Sequence, residues 1–126
     1  MDVTPIVPAG KQVIDRYGTD GFRVAGVLYP GSILLFPDET RAWAPAAMAE
    51  VTAESLAGVI AHGEVEILLL GCGRRMARVP PALRAVLKHA GIVIDTMDTG
   101  AACRTYSVLL GEGRRVAAAL LPVTAT

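Results

Sequence analysis

The feature that most constrains this chain is the order of its segments from residue 66 onward. Glu66–Leu70 is a short, mostly apolar run of the kind that forms a buried strand. Pro80 and Pro81 follow, and proline suits the first turn of a helix, where its missing N–H costs nothing. Leu83, Val86, Leu87 and Ala90 then share one helical face, and Gly91 sits where a left-handed residue ends a helix. Ile92–Asp95 is a second strand, opened by three β-branched residues. Asp98 or Thr99 starts a further helix running to about Leu110, and Arg114–Leu121 is a last strand stopped by Pro122. Strand, helix, strand, helix, strand requires crossover connections, because parallel strands cannot be joined by a tight turn. An α/β domain with a largely parallel sheet is therefore expected.

The opening third obeys a different rule. Residues 1–11, with Pro5 and Pro8, read as an N-terminal arm, and residues 12–126 as one domain. Gln12–Tyr17 alternates in polarity. Phe22–Val24 and Val27–Tyr29 flank Ala25-Gly26, a two-residue turn with glycine second, which signals a β-hairpin. Ser32–Phe36 is an apolar run ended by Pro37-Asp38. These segments predict an antiparallel meander that extends or covers the main sheet. Thr52 is placed to cap a helix carrying Leu56, Val59 and Ile60 on one face. Between Pro37 and Val51 the sequence has no period, so it reads as a long connection. Trp43, the sole tryptophan, lies in it, either exposed as an interface anchor or folded back as a plug for the core.

Composition narrows the functional classes. Apolar residues make up 52% and charged residues 19%, too apolar for intrinsic disorder. Apolar runs reach only about eight residues, as in Val116–Val123, so no membrane-spanning helix is expected. The first residues, Met1-Asp2-Val3-Thr4-Pro5, show no secretory pattern. Two cysteines make no disulfide framework, which fits a reduced, cytoplasmic protein. Net charge is zero but unevenly spread. Residues 1–66 carry four basic and nine acidic groups, and residues 67–126 carry eight basic and three acidic. The zero total argues against nucleic acid as a partner. The run Arg74, Arg75, Arg78, Arg84 and Lys88, with no acid between, could hold a small anion or an acidic partner surface, or be a solvated face.

Ligands of open α/β sheets gather outside the carboxyl ends of the strands. Two such ends stand out here. In Gly71-Cys72-Gly73-Arg74-Arg75, two glycines permit close backbone approach and two guanidiniums offer bidentate anion contacts. It is not a dinucleotide fingerprint, since Met76 stands where a third glycine would be, and it lacks the Gly-Lys-Ser/Thr of a P-loop. In Asp98-Thr99-Gly100-Ala101-Ala102-Cys103-Arg104, a capped helix N-terminus with small residues favours an anion and could lower the Cys103 pKa. The plainer reading of Cys103 is a small buried residue in a tight helix–sheet contact. Neighbouring strands would also allow Cys72 and Cys103 to approach each other. His62 and His89, near helix C-termini, have no metal-ligand spacing with the cysteines, and neither is placed as a base for Cys103. No metal and no cofactor is expected.

These segments resemble a known group. Asp20-Gly21-Phe22-Arg23-Val24, Leu68-Leu69-Leu70-Gly71-Cys72-Gly73, Pro80-Pro81, Met97-Asp98-Thr99-Gly100-Ala101-Ala102-Cys103-Arg104-Thr105-Tyr106 and Gly113-Arg114-Arg115-Val116-Ala117-Ala118-Ala119-Leu120-Leu121 are similar to segments of a family of small α/β domains. That family includes mitochondrial respiratory complex I assembly factor 3 and an adipogenesis-associated protein. The resemblance spans about residues 12–122. It implies a three-layer α/β domain with a mixed sheet and an added β-hairpin, and no established catalytic activity. The mitochondrial relative works through protein–protein contact, so a protein partner is expected here, in the cytoplasm or peripheral to an inner membrane. A small-anion or nucleotide-binding protein, and a thiol-dependent enzyme, are the alternatives.

Overall fold

The computed structural model describes residues 11–126. The expected N-terminal arm, Lys11 apart, lies outside them. The elements in chain order are β1 (Ile14–Gly18), β2 (Gly21–Val24), β3 (Val27–Tyr29), β4 (Ile33–Leu35), β5 (Thr40–Ala42), 3₁₀ turns at Met48–Glu50 and Glu54–Leu56, α1 (Ala57–His62), β6 (Ile67–Gly71), α2 (Pro81–His89), β7 (Val93–Met97), α3 (Thr99–Gly111) and β8 (Val116–Leu120). The strand–helix alternation after residue 66 is present as the sequence requires.

The meander divides between two sheets. Strands β1, β2 and β3 form an antiparallel sheet of their own. Its second turn is the expected Ala25-Gly26 hairpin, with φ of +48° and +83°. Positive φ at both central residues is what a type I′ turn requires. Alanine is poorly suited to that conformation, and the Asp15 carboxylate supports the turn by accepting the Gly26 N–H at 2.9 Å. Strand β4 instead joins the larger sheet, whose order is β5-β4-β8-β6-β7. There β6 runs parallel to β7 and β8, while β4 is antiparallel to β5 and β8. The sheet is thus mixed, with its parallel part in the βαβ half.

Strand parity sorts the core into two faces. Leu34, Leu68, Leu70, Cys72, Ala117 and Ala119 face one side, against Leu56 and Val59 near and on α1, Leu83 and Leu87 on α2, and Trp43. Ile33, Leu35, Leu69, Val116, Ala118 and Leu120 face the other, against Ala102, Cys103, Tyr106 and Leu110 of α3 and Phe22 and Val24 of the small sheet. Helices therefore cover both faces, giving three layers. Every residue of β8 is buried, as its central position demands.

The segment before α1 is more ordered than its sequence suggests. Thr40–Ala42 is a short edge strand on β4. Thr52 and Ser55 cap each other: the Ser55 N–H donates to Thr52 Oγ1 at 3.1 Å, and the Thr52 N–H to Ser55 Oγ at 2.9 Å. This reciprocal pair starts the 3₁₀ turn that leads into α1. Trp43 is not exposed. It is 7% accessible, its backbone N–H donates to Ser32 O, and its indole N–H donates to Ser55 O at 2.7 Å. The exposed-anchor reading is therefore corrected to a core plug, because the indole finds both an apolar cluster and a carbonyl acceptor between β5 and α1.

Candidate functional site

The two glycine-containing loops meet at one edge of the sheet. β6 and β7 pair in parallel with Gly71 opposite Met97, so both following loops leave on the same side. The Cys72 N–H donates to Met97 O and the Thr99 N–H to Gly73 O, each at 2.9 Å. Thr99 is fully buried at the centre of this junction. Its hydroxyl oxygen accepts the Gly73 N–H and its proton goes to Leu121 O, each at 2.8 Å. One side chain thus ties together the ends of all three parallel strands.

This junction is closed rather than open. A methyl group on Gly71 would lie 2.9 Å from Leu120 Cδ2 and 3.0 Å from Thr99 Oγ1, so glycine is what lets α3 begin against the sheet. Gly73 has φ of +97°, and a methyl group there would fall onto the Ala125 carbonyl. The Arg74 N–H donates to that same carbonyl at 3.0 Å. The C-terminal segment therefore fills the space in front of Gly73. At the start of α3, Asp98 is the N-cap and its Oδ2 accepts the Ala101 N–H at 3.0 Å. An anion there would meet a carboxylate already seated on the helix amides.

The arginines are dispersed. Arg74 and Arg75 are exposed and line a cleft with Met48, Met76 and Ala125. Arg104 turns the other way, beside Gly100, and its Nη1 donates to Tyr17 Oη at 2.8 Å across a groove between α3 and β1. The two cysteines are also apart. Cys72 belongs to the α2 face of the sheet and Cys103 to the α3 face, so their approach is excluded by strand parity. Burial pushes the Cys103 thiol up to about 12, and the neighbouring Arg104 only partly offsets it. Burial raises Cys72 as well. The expectation of a lowered Cys103 pKa is corrected: the thiol lies against the sheet rather than over the helix amides. His62 and His89 end the helices α1 and α2 on the opposite face, so neither serves Cys103.

A second cleft, of about 440 Å³, lies at the other end of the sheet, lined by Lys11, Asp38, His62, Glu64, Arg114 and Arg115 among others. The His62 ring stacks on Phe36, with centroids 4.3 Å apart and planes 5° from parallel. His62 Nε2 lies 3.1 Å from Asp38 Oδ1, and that hydrogen bond holds the Asp38 carboxyl below its ordinary range. Nδ1 is buried and has no hydrogen-bond partner among the described residues. In the neutral ring the proton belongs on Nε2, since the Asp38 carboxylate opposite it can only accept. Asp38, Glu39 and His62 bring ligand atoms within 4.8 Å of one another, a grouping that no sequence spacing shows. Glu39, however, is engaged by Arg41 at 2.6 Å, and Nε2 by Asp38.

Among the described residues no helix is long and apolar enough to cross a membrane. Comparison with known proteins agrees with this architecture. An uncharacterized protein of Rhodobacter capsulatus is 41% identical over 116 residues, covering 91% of this chain and 88% of that one. The mouse NADH dehydrogenase [ubiquinone] 1 alpha subcomplex assembly factor 3 is 31% identical over 110 residues, covering 86% of this chain and 60% of its own length. The chain thus spans about three-fifths of that assembly factor. Among solved structures, one described as an outer membrane protein from Bartonella henselae is 39% identical with a TM-score of 0.83, covering 93% of this chain and 98% of its own. A Mth938-like domain from Bordetella pertussis is 27% identical with a TM-score of 0.85, covering 100% of this chain and 95% of its own. The model of the family described as protein of unknown function (DUF498/DUF598) matches residues 14–121, from the first residue of β1 to the Leu121 carbonyl that Thr99 holds, and the chain belongs to that family.

Proposed function

We propose that this chain is a non-enzymatic protein-interaction module of the assembly-factor type, working in the cytoplasm or at the inner face of a membrane. The observation that carries this reading is the closed strand-end junction. The crevice where α/β enzymes place their ligands is filled here by Thr99, Leu121 and Ala125 of the chain itself. The thiol that would serve as a nucleophile is buried, its pKa is raised by that burial, and neither histidine of the described residues stands beside it as a base. Similarity to the NADH dehydrogenase [ubiquinone] assembly factor supports a protein partner, and the partner class proposed on that basis is the subunits of an NADH dehydrogenase. An anion reading of the same edge retains only the exposed guanidiniums of Arg74 and Arg75, since the Ala101 amide at the start of α3 is already held by Asp98.

The test is affinity capture of the tagged chain from native cells, together with a deletion strain. The reading expects enrichment of oxidoreductase subunits and a loss of assembled enzyme on deletion. No enrichment, with assembled enzyme and its NADH oxidation unchanged in the deletion strain, would overturn it.

A further inference from the structure

The outer edge of β7 is the last edge of the five-stranded sheet, and among the described residues no strand covers it. The Val93 N–H is given to Glu66 O, and Met97 O accepts the Cys72 N–H, so residues 93, 95 and 97 turn their backbone groups toward β6. The alternation of a parallel ladder then turns the N–H and C=O groups of Ile94 and Thr96, and the C=O of Ile92, outward. Such a row is a template for another strand, and proteins usually blunt it. Among the described residues the side chain that bonds to this edge is Arg84 of α2, which reaches over it with its Nη1 donating to Ile94 O at 3.0 Å.

The flanks of this edge differ in chemistry. On the α2 side stand Arg84 and, one turn on, Lys88, both exposed. Neither has a carboxylate partner among the described residues, whose ion pairs lie elsewhere. On the α3 side the helix stops short of the margin, leaving Val93 66% accessible and Asp95 exposed. We infer that β7 takes up an extended segment of a partner protein whose alternate side chains are acidic toward Arg84 and Lys88 and apolar toward Val93. Main-chain bonds to Ile94 and Thr96 give such a segment its affinity, and the two flanks give it direction and register. The Arg84 guanidinium, with five N–H donors, has capacity left for a carboxylate beside the carbonyl it already holds. Asp95 excludes acid from the opposite row. This deepens the interaction-module reading and rests on it.

The experiment uses the full chain, labelled for NMR, and a capped heptapeptide of alternating Glu and Val, with a Lys/Val peptide as control. The proposal expects shift changes centred on residues 92–97 and slowed amide exchange at Ile94 and Thr96. It expects at least tenfold weaker binding to the double variant Arg84→Glu/Lys88→Glu. Thr96→Pro should abolish binding, since it removes an outward N–H while sparing the ladder to β6. If that proline variant does not fold, the charge-reversed variant decides alone. Equal binding of the Lys/Val peptide, unchanged affinity of the charge-reversed variant, or shifts mapping elsewhere would overturn the proposal. So would concentration-dependent dimerisation through β7, which would make a second copy the occupant. Retained capture of native partners by the charge-reversed variant would remove this edge while leaving the module reading intact.

Discussion

Replacing Trp43 with alanine is the sharpest test of how this domain is closed between β5 and α1. A nearly buried tryptophan takes about 200 Å² out of water. At about 25 cal/mol per Å² that corresponds to about 5 kcal/mol, consistent with the 3–5 kcal/mol typical of Trp→Ala in cores. The Ser55 carbonyl also loses the indole donor that it holds at 2.7 Å. Ser55 is only half-buried, so water recovers part of that bond and the added cost stays near 1 kcal/mol. For a chain of 126 residues each kcal/mol moves the melting temperature by about 3–5 °C, so a loss of about 4–6 kcal/mol in Trp43→Ala should lower it by about 12–30 °C. Trp43→Phe retains most of the apolar contact and should lose about half as much. Far-UV circular dichroism is the suitable readout, because the substitution removes the only tryptophan fluorophore. A Trp43→Ala melting temperature within 2–3 °C of the parent, on the same scale, would refute the plug and restore the surface-anchor reading.

Thr99→Val should cost about 2–4 kcal/mol, because it strands both the Gly73 N–H and the Leu121 carbonyl, whereas Thr99→Ser should recover most of that in chemical denaturation. Gly73→Ala should destabilise by more than 1 kcal/mol and raise amide exchange at Arg74, since the added methyl displaces Ala125 from its bond to that amide. Both thiols should react sluggishly with alkylating reagent at pH 8 in the folded chain and rapidly in denaturant; fast native labelling of Cys103 would revive a thiol chemistry. Because folding raises the Cys103 pKa, the folded state holds its proton longer than the unfolded chain. Stability should therefore fall as pH rises from about 9 toward 12, and Cys103→Ala should make that alkaline limb shallower in urea titrations at stepped pH, the remaining slope belonging to Cys72 and Tyr106, which burial raises as well.

Much of this fold is written in local signals. The prolines at 80 and 81, Gly91 and the Ile92–Asp95 run mark a helix followed by a strand, and Asp98 caps the helix that comes next. The meeting of Gly71–Arg75 with Asp98–Arg104 follows from parallel pairing alone. What sequence cannot show is which face each helix takes. Leu68, Leu70 and Cys72 share a parity that was readable, yet nothing local says that α3 packs on the Leu69 side, and so the separation of the cysteines was hidden. The burial of Trp43 was equally hidden. Thr40-Arg41-Ala42 has no alternation, and its strand exists because β4 offers a partner. The His62–Asp38 pair joins residues 24 positions apart through a stacking contact with Phe36, and no short-range pattern encodes it.

The central place of β8 bears on how the chain is made. During synthesis β4 and β6 emerge first, yet the strand that lies between them, Val116–Leu120, follows more than forty residues after β6. Until then β4 can pair only with β5, and β6 only with β7. Apolar residues such as Ile33, Leu35 and Leu69 have no β8 to close over them, and exposed strand edges of that kind invite misassociation. A nascent chain halted before residue 116 is thus two separate ribbons rather than a smaller version of the domain, and one strand inserted between them creates the core on both faces of the sheet at once.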